Sequence, residues 1–340
     1  MKQDIKNYTL QDLNKRFMGE NLPKFYACQV FSWLYEKRIE DFDKMTNISK
    51  DARELLKSKF YFSNLNLLKK EVSCDGTEKF LFSLSDDYKI ESVLIPESSR
   101  LTLCLSTQVG CKFKCNFCLS GQKGFKRNLD TCEIINQYLF ISDVVLPKKI
   151  TNIVFMGIGE PLDNFTNTIN AVKIFMDTRG LSLGRLRICI STCGLIPEIK
   201  RLAQLKLGIK LSVSLHSAND DTRTKLMPIN KRYPLVELMK AVKEFARYER
   251  YPVTFEYALL SALNTSKKDA VELAYLLKHI HCKVNLIPYN HSCLKFKAPS
   301  PEEIQDFSQI LKEKGIFFTL RKARGEDINA ACGQLRALWD

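Results

Sequence analysis

Apolar positions change their period along this chain, and the changes divide it. In residues 10–17, 24–35 and 52–60 they recur at helical spacing with no strand alternation, which predicts helices within an N-terminal segment, 1–65. Across 66–97 the period shortens to two. Phe80, Phe82 and Leu84 share one strand face and Ile90, Ser92 and Leu94 another, with Asp75-Gly76 and Asp86-Asp87 as turn signals. A small linking β-meander is expected there. From Leu101 onward, runs rich in Val, Ile, Leu and Phe at 101–106, 152–156, 186–191, 210–215, 253–260 and 283–287 read as strands buried on both faces. Helical patterns at 131–145, 164–178, 196–207, 234–249, 267–280 and 301–314 alternate with them, and a last strand is expected at 317–322. The 301–314 helix is the best marked: Ser300 caps it, Pro301 opens its first turn, Glu303 completes a capping box and Gly315 stops it.

Repeated βα units predict an α/β domain over 98–340, with a parallel sheet that is either open or curled into a barrel. In both cases ligands gather at the C-terminal ends of the strands, so the segments just after each strand are where chemistry is expected.

Composition narrows the class. Of 340 residues, 45% are hydrophobic and 26% charged, as in ordinary globular domains. There is no apolar run of membrane-spanning length, and residues 1–16 carry no signal-peptide core, so no membrane association and a cytoplasmic location are expected. Lys and Arg number 52 against 38 Asp and Glu, a net charge of +14 that favours a polyanionic partner, although a solvated basic surface has the same count. Twelve cysteines without a secretory signal point to thiol or metal chemistry rather than a disulfide framework. Cys28, Cys74, Cys132, Cys189, Cys193, Cys282 and Cys293 read as small buried hydrophobes.

Three others form a motif. Cys111-Lys-Phe-Lys-Cys115-Asn-Phe-Cys118 follows the first βα strand. Thiolates at this spacing select an iron–sulfur cluster or zinc, and a structural zinc site wants a fourth ligand, for which Cys104 is the candidate. Three thiolates on a four-iron cluster leave one iron open to a cosubstrate. Later strand ends carry Gly159-Glu160-Pro161, Ser191-Thr192-Cys193-Gly194, Ser214-Leu215-His216-Ser217 and Ile287-Pro288-Tyr289-Asn290. Each places small or polar groups where one ligand site would converge.

The triplet and the Gly-Glu-Pro turn resemble the signature of the radical S-adenosylmethionine (radical SAM) superfamily. Arg321-Lys-Ala-Arg-Gly-Glu-Asp-Ile-Asn-Ala-Ala-Cys332-Gly-Gln-Leu, Cys104-Leu-Ser-Thr-Gln-Val-Gly-Cys111 and Lys225-Leu-Met-Pro-Ile-Asn resemble, more narrowly, the RlmN/Cfr family of RNA methyltransferases, and the resemblance covers nearly the whole chain. It implies a partial (β/α)6 barrel, a 4Fe-4S cluster on Cys111, Cys115 and Cys118, and S-adenosylmethionine held by Gly159, Glu160, Ser191, Ser214, Leu215, His216 and Asn290. It further implies Cys332 as methyl carrier, Cys104 as the resolving cysteine that releases product by forming a disulfide, and Glu91 as proton acceptor. The motifs look like the RlmN branch, which methylates adenine carbon 2 of 23S rRNA in the peptidyl transferase region and of tRNA beside the anticodon. Cys193 departs from the serine expected there. A carbon-8 methyltransferase and a non-catalytic zinc-stabilised RNA-binding protein are the alternatives. Lys69, Lys70, Lys123, Lys126, Arg127, Arg223, Lys225, Lys231 and Arg232 are the basic residues expected to meet RNA. An external electron donor such as a flavodoxin, and a monomer, are expected.

Overall fold

The structure is a computed structural model, and it describes all residues except 250, 290–295, 323 and 336–340. Ten strands form one sheet: β1 (Asn66–Val72), β2 (Glu78–Ser83), β3 (Lys89–Glu97), β4 (Arg100–Cys104), β5 (Asn152–Phe155), β6 (Ile188–Thr192), β7 (Lys210–Ser214), β8 (Val253–Leu259), β9 (Cys282–Pro288) and β10 (Phe318–Leu320). Their order across the sheet is their order along the chain, from β1 at one edge to β10 at the other. Neighbours β1 to β4 pair antiparallel and β4 to β10 pair parallel. The meander is therefore continuous with the parallel sheet through the β3–β4 pairing. No pairing closes β10 onto β1 among the described residues, so the sheet is an open arc.

Helices α1 (Leu10–Gly19), α2 (Lys24–Tyr35) and α3 (Lys50–Lys59) make up the N-terminal segment, and α4 (Thr131–Val144), α5 (Phe165–Met176), α6 (Ile196–Leu205), α7 (Leu235–Tyr248), α8 (Lys267–Leu277) and α9 (Pro301–Glu313) connect the parallel strands. Ser300 caps α9 in a full capping box with Glu303, as its sequence predicts. Several helices stop earlier than their apolar pattern: α6 ends where Lys206 takes positive φ, and α8 where Lys278 turns to an extended ψ ahead of His279 with its positive φ. Side chains of the N-terminal segment join the same apolar cluster as the sheet and its helices. Polar contacts add to that docking: Asn7 accepts from the backbone N–H of Cys132 at 2.8 Å and Arg38 donates to Ser142 at 2.6 Å, both on α4.

Among the elements not expected, a hairpin bears on the site. Gln108–Gly110 and Phe125–Asn128 pair antiparallel as a small hairpin whose connection is the cysteine loop. Each arm is too short to show a period in sequence.

Candidate active site

The hairpin closes the cysteine loop at its base. Gly110 has φ +75°, and a Cβ there would stand 1.8 Å from the Gly124 carbonyl oxygen, so only glycine lets the two arms approach. Cys111 N–H donates across the same gap to Gly124 O at 3.0 Å. Farther along, Asn116 donates from its backbone to Leu226 O at 2.9 Å and from its side chain to Lys225 O at 2.5 Å. The Lys225-Leu226 motif is thus a wall against which the loop is stitched.

Cys111, Cys115 and Cys118 all line one cavity at the C-terminal ends of the parallel strands. Burial pushes the Cys111 thiol up to about 12 and raises Cys115 and Cys118 as well, and the sulfurs of Cys111 and Cys118 add to the effect at Cys115. Three thiolates here need a cationic partner. Among the described residues no group of three His, Cys, Asp or Glu side chains is drawn together tightly enough for a single metal ion. A four-iron cluster would be held by several separate thiolates, and three half-buried thiols of one loop lining one cavity fit that demand.

Glu160 sits in the opposite wall, fully buried. Its carboxylate accepts from the N–H groups of Leu162 at 3.1 Å and Cys193 at 2.8 Å, bridging the ends of β5 and β6. Burial raises its pKa and these donors oppose the rise. Cys193 contacts Glu160 through both its backbone N–H and its thiol, so it supplies the donor that the expected serine hydroxyl would. Gly159 lies against Gln108: a Cβ would meet the Gln108 Cβ at 2.5 Å, and Gln108 in turn accepts from Glu160 N–H at 2.8 Å.

Ser191, Ser214 and His216 continue the wall. His216 has φ +57° and its Nδ1 accepts from Ala258 N–H at 2.9 Å, so the ring proton resides on Nε2. Burial, with Arg223 adding to it, pushes its pKa down to about 3, which keeps the ring a neutral donor. Leu215 is not on the wall: its side chain lies in the core, while its backbone N–H donates to Glu256 O. Asn290 lies outside the described residues.

Cys104 and Cys332 line the same cavity, both as free thiols. Cys104 is buried at the end of β4, and burial, with the Cys332 sulfur adding to it, pushes it up to about 12. Cys332 is exposed, and Arg321 donates from Nη1 to its Sγ at 3.2 Å. The tail bearing Cys332 is moored on both sides. Upstream, Asp327 accepts from the Ser73 hydroxyl at 2.6 Å and the Cys74 N–H at 3.1 Å, and Asp75 accepts from Gly325 N–H at 3.1 Å. Downstream, Leu119 N–H donates to Gly333 O and the Ser120 hydroxyl to Leu335 O, both at 2.7 Å.

Glu91 is not a cavity-wall residue, yet it shares its strand face with Val93 and Ile95, which are. It is buried, where an alternating strand suggests a solvent-facing side chain, and Lys79 Nζ stands 3.8 Å from its Oε1.

Other sequence expectations change as well. Arg223, grouped with RNA-facing basics, is fully buried and donates to the carbonyls of Cys193, Ser214 and Leu215 and to Asn230 Oδ1. It props the strand ends and is inaccessible to phosphate. Cys74, read as a core hydrophobe, is exposed in the β1–β2 turn. Gln108, Arg321 and Lys79 had no separate signal: each is one polar residue whose partners lie on other elements.

A parallel sheet with a three-cysteine loop after its first parallel strand, opposite a Gly-Glu-Pro turn, defines a radical SAM enzyme, and the radical SAM superfamily model matches residues 105–274. The model of the ribosomal RNA large subunit methyltransferase N-terminal domain matches residues 3–62. The chain is 46% identical over 341 residues to the dual-specificity RNA methyltransferase RlmN of Pelobacter propionicus, covering 100% of this chain and 97% of that one. It is 45% identical to the protein of that name from Campylobacter fetus, covering 96% and 97%. A crystal structure of a radical SAM methyltransferase from Sphaerobacter thermophilus superposes with a TM-score of 0.91 at 40% identity, covering 99% of this chain and 100% of that one. The chain belongs to the RlmN family of radical SAM RNA methyltransferases.

Proposed function

We propose that this enzyme methylates carbon 2 of an adenosine in 23S rRNA, and of an adenosine in tRNA, through an S-methylcysteine at Cys332. The observation that supports it most directly is the meeting of Cys332, Cys104 and the three loop cysteines on one cavity, with Arg321 donating to the Cys332 sulfur. Adenine carbon 2 is electron-poor and does not attack a methyl sulfonium, so the methyl carbon has to be carried to it.

Cys111, Cys115 and Cys118 would hold a 4Fe-4S cluster, which when bound supplies the electron for radical formation from S-adenosylmethionine. Glu160 offers a buried carboxylate to the cosubstrate ammonium group. Ser191, Ser214 and the His216 Nε2–H would serve as donors for ribose or adenine, and Gly159 would meet the cosubstrate through its backbone while Gln108 packs behind it. Cys332, exposed and beside a guanidinium, is the sulfur suited to accept a methyl group from S-adenosylmethionine, with S-adenosylhomocysteine as the leaving group. Cys104 remains a protonated thiol at neutral pH, which suits a group used only at release, when it joins Cys332 as a disulfide. Glu91 would take the ring proton.

Residues 1–65 are proposed as an RNA-binding accessory domain, 66–97 as a linking meander, and 98–340 as the catalytic domain with its tail. Exposed Lys123 and Lys126 flank exposed Phe125, a pairing suited to phosphate contact and base stacking, and exposed Lys225, Lys231 and Arg232 extend the basic rim. A cytoplasmic monomer supplied by an external donor such as a flavodoxin completes the reading. No described helix is long and apolar enough to cross a membrane.

Mass spectrometry of the anaerobically reconstituted enzyme tests the proposal. S-adenosylmethionine alone should place a methyl group on Cys332, and RNA with a reductant should remove it. An unmethylated Cys332 in a cluster-loaded enzyme refutes the methyl-carrier role. Zinc bound in place of iron favours the binding-module alternative, and product at carbon 8 favours the other branch.

A further inference from the structure

The reaction proposed above uses two groups on different parts of the fold, Glu91 on β3 and Cys332 on the tail. Lys79, on β2, reaches toward both. Its side chain is 9% exposed, and an ammonium so buried needs compensation by charge and hydrogen bonds. Nζ lies 3.8 Å from Glu91 Oε1 and 3.1 Å from Glu71 Oε2, and it donates to the backbone carbonyl of Ile328, four residues before Cys332. Ile328 itself packs on the small apolar cluster of Val93, Cys104 and Leu335. The same β1–β2 turn supplies the Asp75 and Ser73 moorings of the tail, some 250 residues away in sequence, as the separations of 250 and 254 show.

We infer that Lys79 is a positioning residue for the methyl transfer, tying the Glu91 carboxylate and the Cys332 tail to one buried ammonium. The inference rests on the roles proposed for Glu91 and Cys332. A structural strand lysine needs no contact with the tail. An ammonium bridging base and tail keeps the proton acceptor and the methyl carrier in register while the adenine is bound between them. Two of the ammonium's donors are taken by Glu71 Oε2 and the Ile328 carbonyl, and the Glu91 carboxylate stands on its third side at ion-pair distance.

The test compares Lys79→Met, Lys79→Arg and Glu91→Gln in the reconstituted holoenzyme. K79M is expected to lower kcat by roughly 10- to 100-fold with KM for RNA nearly unchanged, the size of effect that follows from a misplacement of about 1 Å. It should also speed alkylation of Cys332 by iodoacetamide, because the tail is released. K79R, keeping the charge and donors, should recover most of both. Wild-type kcat and alkylation in a folded K79M overturn the proposal. E91Q separates it from the reading beneath: an active E91Q removes the proton-acceptor role and this proposal with it, whereas an inactive E91Q beside a fully active K79M overturns the proposal alone. Should K79M fail to fold, labelling of Lys79 by an amine-reactive reagent decides. It is expected to be slow in the wild type and faster in Asp327→Ala, and equal labelling in the two overturns the coupling of Lys79 to the tail.

Discussion

Substituting Gly110 by alanine should cost this enzyme its cluster while leaving most of its fold. Two effects combine at that position. The φ of +75° is disfavoured for any residue with a Cβ, at about 1–2 kcal/mol. The new Cβ would also lie 1.8 Å from the Gly124 carbonyl oxygen, so one hairpin arm has to move, at about 1–3 kcal/mol by analogy with overpacked cores. The sum, about 2–5 kcal/mol, falls on a short hairpin whose purpose is to bring Cys111 back toward Cys115 and Cys118. Gly124→Ala is the matched control. Its φ is +76°, but nothing lies within 4 Å of its Cβ, so only the conformational part, about 1–2 kcal/mol, applies. Iron and sulfide per chain after anaerobic reconstitution, with visible absorbance, read the outcome. G110A should retain little cluster, G124A most of it, and apo-protein melting should change modestly in both. Wild-type iron content in G110A would refute the idea that the hairpin sets the loop.

Other consequences follow from the same geometry. Arg223→Met should destabilise the chain by about 3–5 kcal/mol, because the buried carbonyls of Cys193, Ser214 and Leu215 lose their donor, and a wild-type melting temperature would contradict that. Glu160→Gln should weaken S-adenosylmethionine binding to the holoenzyme at least tenfold by equilibrium dialysis, since the amide removes the negative charge offered to the ammonium. The tail moorings should also be acid-sensitive. Burial works against ionisation of Asp75, yet hydrogen bonds from Thr77 and the backbone of Gly325 outweigh it and hold the pKa down at about 2, against an ordinary 3.8. A depressed carboxylate stabilises above its unfolded value, and the contribution is lost as pH falls from about 4 through about 2. Hydrogen exchange at residues 324–333, corrected for intrinsic rate, should accelerate in that window, and a flat profile would count against it.

Much of the architecture was legible because it is local. Period and capping located the helices between parallel strands, and strand-end positions pointed to Glu160, Ser191, Ser214 and His216. Alternation also explains Leu215: it lies between wall residues Ser214 and His216, so its side chain turns to the core. What stayed hidden depends on pairings across long separations. The burial of Arg223 follows from carbonyls on two other strand ends, and a basic residue in a polar helix carries no mark of it. The environment of Glu91 is set by Lys79, itself tied to a tail 249 positions later in the chain. The roles of Cys332 and Cys104 came from motif resemblance, since neither period nor spacing joins the first strand end to the tail.

The strictly sequential order of the ten strands bears on how the molecule comes into being. Each strand emerging from the ribosome finds its partner already formed as the current sheet edge, so growth needs no insertion between older strands. The tail is the exception. It must return to the first two strands and to the cysteine loop, contacts among the longest in the chain. A nascent chain thus carries its cluster thiols and its sheet well before it has a moored Cys332. Timing alone keeps Cys332 out of the cavity until the strands and loop that moor the tail are in place.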